Sequence, residues 1–507
     1  MIKKNHKIFV LISALLVLLF ILMPVFNDII QARPGGGHSY SGGGGSYSGG
    51  GSYSGNGGGD GIGFLIYLLF RELPPQISIP LIILIFVLAY YVQKRNNNGR
   101  NLILPSPGVQ ARTVRHNNID DDIRRLKQID VNFSKVLFLD FVASLFNKYY
   151  TWFGTENFKN LSPFLTSEEI NYSENFGRNV RITEIVIGNM RIGEINFLND
   201  TIGIAVDIEA NYTKEIRGRK TRYILTERWY FNRKNGILSP EPEKMQKLAC
   251  PNCGAPANFT DSGVCKSCGT EINKGEMQWF VKKHIILTQS VFRTEGLAHY
   301  EPERGTELPV IYRKNMMLYA EEFARRHNLD WNEWTEYFSE NVAAKYLLKI
   351  YDAWSRNNLK TVRNLLSDRM YENMMFWLNT YKQAGLINKL ENVKIRAVRF
   401  AGIDLDRFYE SVTVRIYVSA LDYVIDINGN LKGGSAGRLR NFSEYWTFIR
   451  RTGVEKDDYD LASCPNCGAP ADNIGQAGIC EYCGTKITTG NFSWVLAVIT
   501  QDEVYSG

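Results

Sequence analysis

The eight cysteines of the chain fall into two stretches of similar sequence, CPNCGAPANFTDSGVCKSCGT from Cys250 to Thr270 and CPNCGAPADNIGQAGICEYCGT from Cys464 to Thr485. Each stretch is a Cys-x-x-Cys pair, a gap of 11 or 12 residues, and a second Cys-x-x-Cys pair. A two-residue spacer followed by glycine (Gly254, Gly269, Gly468, Gly484) lets the backbone curl so that both sulfurs of a pair face one point. Two such turns supply the four thiolates that a tetrahedral zinc ion prefers. The expected ligands are Cys250, Cys253, Cys265 and Cys268 in one site and Cys464, Cys467, Cys480 and Cys483 in the other, for two structural zinc ions. Four sulfurs leave no open position on the metal, so such a site would hold structure and would not activate water. Disulfides in an exported domain are one alternative, but they do not need paired Cys-x-x-Cys turns. A thioredoxin-like redox pair is another, but no strand-helix context surrounds any of the pairs.

Catalytic constellations are not found in the rest of the sequence. There is no phosphate-binding glycine loop, no Gly-x-Ser-x-Gly elbow and no His-Glu-x-x-His. Beyond residue 93 the histidines are His116, His284, His299 and His327, and none sits in a recognisable motif with a carboxylate. Asp120, Asp121 and Asp122 stand at a predicted helix start, where they would cap the helix and neutralise its dipole. No catalytic residue is assigned, and the expectation is a protein without enzymatic activity.

The chain has 507 residues, 44% of them hydrophobic and 22% charged, enough for two or three ordinary domains. A net charge of +7 is too weak by itself to argue for nucleic acid. Lys266, Lys274, Lys282 and Lys283 near the first cysteine module favour nucleic-acid binding, but the second module carries Asp472, Glu481 and only Lys486. A shared basic surface is therefore not expected.

Position of charge says more than its sum. Lys3, Lys4 and Lys7 precede a 19-residue apolar run from Ile8 to Phe26, which reads as a signal peptide or signal anchor over residues 1–32, with a candidate cleavage site after Ala32. Residues 33–63 form a loop rich in glycine, serine and tyrosine; Gly35 to Gly61 holds 15 glycines in 27 residues and reads as a flexible tether. A transmembrane region is expected over 64–93, where the 20 residues from Leu73 to Val92 would reach about 30 Å as a helix. Lys94, Arg95 and Arg100 follow it in a basic linker, 94–118. Basic residues at the outer ends of both apolar runs place the glycine loop outside and the remainder in the cytoplasm, at the cell's inner membrane. The linker charges would also be drawn to anionic lipid.

The cytoplasmic part repeats. Phe138, Phe141, Val142, Leu145, Tyr149 and Trp152 recur at helical spacing, as do Val342, Tyr346, Leu347, Ile350 and Trp354. A second helix is expected around Leu161–Leu165 in one copy and around Leu359–Leu378 in the other. Alternating runs then predict strands, with Val412, Val414, Ile416 and Val418 on one face. TERWYFNRKNG (Thr226–Gly236) matches SEYWTFIRRTG (Ser443–Gly453) just before each cysteine module, and Trp279 and Trp494 occupy matching places just after it. Each module thus reads as an insertion between the last two strands of a repeated helix-plus-sheet domain.

The segment AAKYLLKIYDAWSRNNLKTVRNLLSDRMYENM (Ala343–Met374), the strand ending FSEYWTFIRR and the closing SWVLAVI resemble the Tim44-like family. The leader ARPGGGHSYSGGGGS ahead of an apolar segment is similar to bacterial members. The resemblance implies a cone-shaped α+β fold similar to nuclear transport factor 2, with helices over a curved antiparallel sheet and an open apolar pocket. The repeat makes this two such domains, and the duplication and the zinc ribbon inserted in each depart from the family's pattern. The expected domains are 119–295 with ribbon 250–270, a linker 296–329, and 330–507 with ribbon 464–485. The resemblance further implies membrane attachment, work with protein translocation or membrane-protein handling, and a protein partner from that machinery. A pocket for a small molecule or lipid, or an enzyme of the same cone-shaped fold, is the alternative. The expected binding surface is the apolar face around Val412–Val418, open at the mouth of the cone; helices closing over it as ordinary core is the other outcome.

Overall fold

Apolar alternation along the strands and a helical stripe ahead of them give both halves of the chain the same layering. The computed structural model describes residues 119–507, apart from 246–247, 261, 295–296, 299–304, 456, 458–461 and 503. The expected signal segment (1–32), glycine loop (33–63), transmembrane region (64–93) and basic linker (94–118) lie outside the described residues. Among the described residues no helix is long and apolar enough to cross a membrane.

The first half begins with α1 (Ile119–Ile129), α2 (Lys135–Trp152) and α3 (Ser167–Phe176). The Ser134 hydroxyl accepts the Leu137 N–H at 3.4 Å and caps α2. Of the predicted stripe, Phe138, Phe141, Val142, Leu145 and Tyr149 are fully buried, and Trp152 is half-buried against the same core. β1 (Val180–Phe197), β2 (Thr201–Ile216), β3 (Arg219–Lys234) and β4 (Phe280–Val291) follow, in an antiparallel sheet of order β1-β2-β3-β4. The first cysteine module lies between β3 and β4, as the sequence predicts.

The second half runs α4 (Met316–His327), α5 (Trp331–Phe338), α6 (Lys345–Ser355) and α7 (Asp368–Gln383), then β5 (Leu386–Leu405), β6 (Tyr409–Asp426), β7 (Leu431–Gly434), β8 (Arg440–Arg451) and β9 (Val495–Gln501). Its antiparallel sheet has the order β5-β6-β8-β9, with β7 pairing β6. The second module lies between β8 and β9. Both halves are therefore mixed α+β with the same helix-to-sheet order and the same point of insertion.

Two elements differ from the expectation. Around Leu161–Leu165 the chain makes a 3-10 turn (Glu156–Leu161) and then leaves helical geometry, so that Leu165 bridges Val281 at the start of β4; α3 starts only after Thr166. Pro163 has no N–H to continue the helix. The second half does the same: Leu359–Leu365 is a 3-10 segment, Leu366 bridges Leu496, and Ser367 caps α7. The expected linker, 296–329, contains α4, whose Ala320 and Phe323 are buried in the core of the second half.

The two halves pack against each other. Tyr409, Ile449, Val495 and Ala497 of the second half join the core of the first. Lys127 of α1 donates to Asp404 at 2.5 Å and to the Leu405 carbonyl at 2.8 Å. Asp120 pairs with Arg313, and Asp121 with Lys314 at 2.5 Å, so the acidic run at the start of α1 also clasps the second half.

Candidate metal centres and their supports

Each Cys-x-x-Cys pair closes a backbone knuckle. The Gly254 N–H donates to the Cys250 carbonyl at 2.8 Å, and the Gly269 N–H to the Cys265 carbonyl at 2.8 Å. Gly468 and Gly484 do the same to Cys464 and Cys480 at 2.9 and 2.8 Å. The four glycines sit at φ of 74, 72, 74 and 69°, a left-handed turn that a side chain would strain. Asn252 donates across the module to the Thr270 hydroxyl at 2.8 Å, and Asn466 to Thr485 at 3.0 Å, tying one knuckle to the other.

The sulfurs converge as a result. Cys250 and Cys268 Sγ are 3.9 Å apart, Cys253 and Cys265 3.9 Å, Cys464 and Cys483 3.9 Å, and Cys467 and Cys480 3.8 Å. In each module all four sulfurs lie within 4.8 Å of one another. A tetrahedral ion with metal–sulfur bonds of about 2.3 Å places its ligands about 3.8 Å apart, whereas a disulfide needs about 2.05 Å. These are two four-cysteine clusters fit to hold a metal ion, and all eight predicted residues take part. Hydrogen bonds from Thr270 hold the Cys268 thiol down at about 6, and those from Thr485 and Asn466 do the same for Cys483. A thiolate is the form that binds metal.

The modules are docked differently on corresponding ground. Phe259 of the first packs on Phe164 at 6.0 Å, and Cys250, Cys265, Phe259 and Ile272 belong to the main core of that half. The Ser162 hydroxyl donates to the Thr260 carbonyl at 3.0 Å. The second keeps a small cluster of its own, Cys464, Ile474, Cys480 and Ile487. Polar contacts fasten it: Arg363 donates to the Gln476 carbonyl at 2.7 Å, and Asp368 at the start of α7 accepts Lys486 at 2.6 Å and Thr488 at 2.9 Å.

Buried polar groups brace the strands at the root of each insertion. Glu227 accepts the Trp229 indole N–H at 2.7 Å and the Tyr150 hydroxyl. Glu444 accepts the Trp446 indole N–H at 3.0 Å and the Tyr351 hydroxyl at 2.9 Å. The same Glu-x-Trp pair thus braces the sheet to the helix in both halves. Burial raises the Glu227 carboxyl above its ordinary value.

Two histidines without a sequence motif prove to be paired with carboxylates. His284 Nδ1 meets Glu169 at 2.8 Å, and its amide N–H donates to the same carboxylate at 3.0 Å. Burial opposes the charged imidazole, but the hydrogen bond to Glu169 and the nearby charge of Glu227 overcome it, and His284 titrates above its usual range. His327 Nε2 meets Glu410 at 2.7 Å. Burial works to raise Glu410, and the bonds from His327 and Arg450 outweigh it and hold it low. Glu169 is 115 residues from His284 and Glu410 83 from His327, so no local pattern could announce either pair.

The expected binding face is core. Val412, Val414, Ile416 and Val418 are at most 1% exposed and share a cluster with Phe338, Val342, Tyr346, Leu347, Ile350 and Trp354. The helical stripe that the sequence predicts lies directly on this face and closes it.

Residues 323–464, from the end of α4 to the first cysteine of the second module, match the family model of the Tim44-like domain. No curated protein matches the chain.

Proposed function

We propose, from the premise that residues 323–464 belong to the Tim44-like family, that this chain is a membrane-anchored scaffold serving protein translocation or membrane-protein handling. The match of residues 323–464 to the Tim44-like family model is the observation carrying the reading. The first half repeats the helix-to-sheet order and the insertion point of the second, which supports a second Tim44-like domain at 119–295. Helices lying over one face of each antiparallel sheet support the cone-shaped fold of nuclear transport factor 2.

Cys250, Cys253, Cys265 and Cys268, and Cys464, Cys467, Cys480 and Cys483, would each hold one structural zinc ion. With four sulfurs a zinc ion leaves no place for a substrate, so its contribution is to fold the module. The basic ends of the two N-terminal apolar runs support an anchored chain whose domains lie on the cytoplasmic side of the inner membrane.

The test is crosslinking in the native membrane. A photoreactive residue at the exposed Leu348 of α6 should give adducts with subunits of the translocation machinery or with chains in transit. Adducts with soluble cytoplasmic proteins alone, from a chain that does not sediment with membranes, would refute the scaffold role.

A further inference from the structure

The face of the second sheet opposite the helices has a covering of its own. Arg415, 1% exposed on its side chain, pairs with Asp502 at 2.9 Å and donates to the Leu308 carbonyl at 2.8 Å. The Tyr445 hydroxyl accepts the Ile311 N–H at 2.9 Å, and the Arg313 N–H donates to the Ala401 carbonyl on β5 at 2.8 Å. These bonds hold the segment from Thr306 to Arg313 across the sheet as a strap.

Between strap and strands lies a groove of about 620 Å³, with Thr306 and Tyr312 on the strap side and Arg396, Arg399, Tyr417 and Asn441 on the sheet side. Its size falls within the roughly 300–1,000 Å³ typical of ligand sites. Arg396 stands in a register shift between Ile395 and Ala397, which re-aims an extra residue out of the pleat. Its guanidinium is steadied by Asn441 Oδ1 at 3.1 Å. Arg399 contacts the Val398 carbonyl at 3.4 Å. Among the described residues neither arginine has a carboxylate partner and the buried Thr306 hydroxyl has no hydrogen-bond partner. Lys394 adds a third exposed cation, and the run from Val393 to Phe400 holds no acidic residue. Glu307 on the strap is the one opposing charge lining the groove among the described residues.

We propose that this groove binds an extended acidic peptide segment, running between strap and sheet with carboxylates on Arg396 and Arg399. Arg396 and Arg399 are three positions apart, roughly 10 Å along a strand at about 3.3 Å per residue. That is too far for one phosphate to engage both as a bidentate partner. It suits two carboxylates on one extended chain, each held by charge-assisted hydrogen bonds. The site does not depend on the translocation role proposed above.

The full-length protein, kept in detergent, can be titrated against a fluorescent ten-residue peptide of alternating Glu and Val, with anisotropy as the readout. Saturable binding is expected, weakened at least tenfold in the Arg396→Gln/Arg399→Gln variant and weakened by added salt. The same peptide with Gln for Glu should not bind. Equal binding of the Gln peptide, no binding of the Glu peptide, or a double variant that binds unchanged would overturn the proposal. Displacement of the peptide by an equal concentration of inorganic phosphate would overturn it in favour of a small-anion site. Both arginines are exposed, so the variant should melt with the native protein; if it does not fold, the comparison of the two peptides on the unaltered protein decides alone.

Discussion

The guanidinium carbon of Arg450 lies 4.4 Å from the ring centre of Trp494, and that of Arg233 lies 4.2 Å from Trp279. In each half this stack joins the strand that enters the cysteine module to the residue that leaves it. The anions completing it differ. Arg233 pairs with Asp130 at 2.7 Å, and Ser239 accepts a second bond at 2.9 Å. Arg450 pairs with Glu410 at 2.9 Å and with Asp457 at 2.5 Å, and Asp457 also accepts the indole N–H groups of Trp334 and Trp494 at 2.8 Å. A stacked cation would be costly to bury alone, and the carboxylates make the arrangement stable.

Replacing Arg450 by Met should therefore destabilise the second half by about 3–5 kcal/mol, since buried Glu410 keeps only His327 and Asp457 loses its guanidinium partner. Arg233→Met should do the same to the first half through Asp130. Chemical denaturation of each variant checks this. Loss under about 1 kcal/mol would mean that the stack contributes no more than a surface ion pair.

The metal centres should differ in what their loss does. Elemental analysis is expected to find two zinc ions per chain in protein purified without chelator. Cys253→Ser should release one ion and loosen the first half as a whole, because Cys250 and Cys265 are part of its main core. Cys467→Ser should release the other ion and unfold the second module with little effect on the sheet beside it, because that module has a separate apolar cluster. Hydrogen exchange in β3 and in β8 distinguishes the two results; equal loss of protection in both variants would contradict the asymmetry.

The His284–Glu169 pair fastens α3 to β4 and should make the first half sensitive to pH. His284 titrates above its usual 6.5, so its contribution is complete below that value and is lost as pH rises through the higher, folded value. Glu169 is held below its usual 4.5: burial opposes this, and the bonds from His284 and Tyr149 outweigh it. Its contribution is present above 4.5 and is lost as pH falls through the lowered value. The two overlap between about 4.5 and 6.5, where the attachment is strongest. Amides of α3 should exchange faster at pH 9 than at pH 6 beyond the intrinsic rate change, and His284→Gln should remove the difference. An unchanged pH profile in that variant would show that the pair is not the sensor.

Local pattern carried most of the fold. The stripe through Phe138 and Tyr149, the strands around Val412–Val418 and the matched Trp279 and Trp494 were all visible because helices and strands repeat at short periods. The knuckles were visible because their spacing is itself the constraint. α4 was hidden: it buries only Ala320 and Phe323, so its apolar periodicity is thin. Contacts such as Lys127 with Asp404 join residues 277 positions apart and leave no trace in a local window. The closure of the apolar face was hidden for a related reason. Alternation shows that one face of a strand is apolar, but it is the same whether a helix or a ligand covers that face.

That closure can be tested directly at Ile416, which is 0% exposed beneath the helices of the second half. Ile416→Ala removes three carbons from a packed site and should cost about 2–5 kcal/mol, the transfer term plus the cavity left behind. The neighbouring Val414→Thr should also destabilise, since its hydroxyl would enter an apolar cluster in place of a methyl group. If the face is core, the crosslinks expected of the proposed scaffold should fall only in step with the folded fraction, measured on the same samples by thermal melting. A variant that melts with the native protein yet loses its crosslinks would show that the face opens to a partner. In that case the helices would have to move away from Val412–Val418, and hydrogen exchange along α6 should rise when the partner is present.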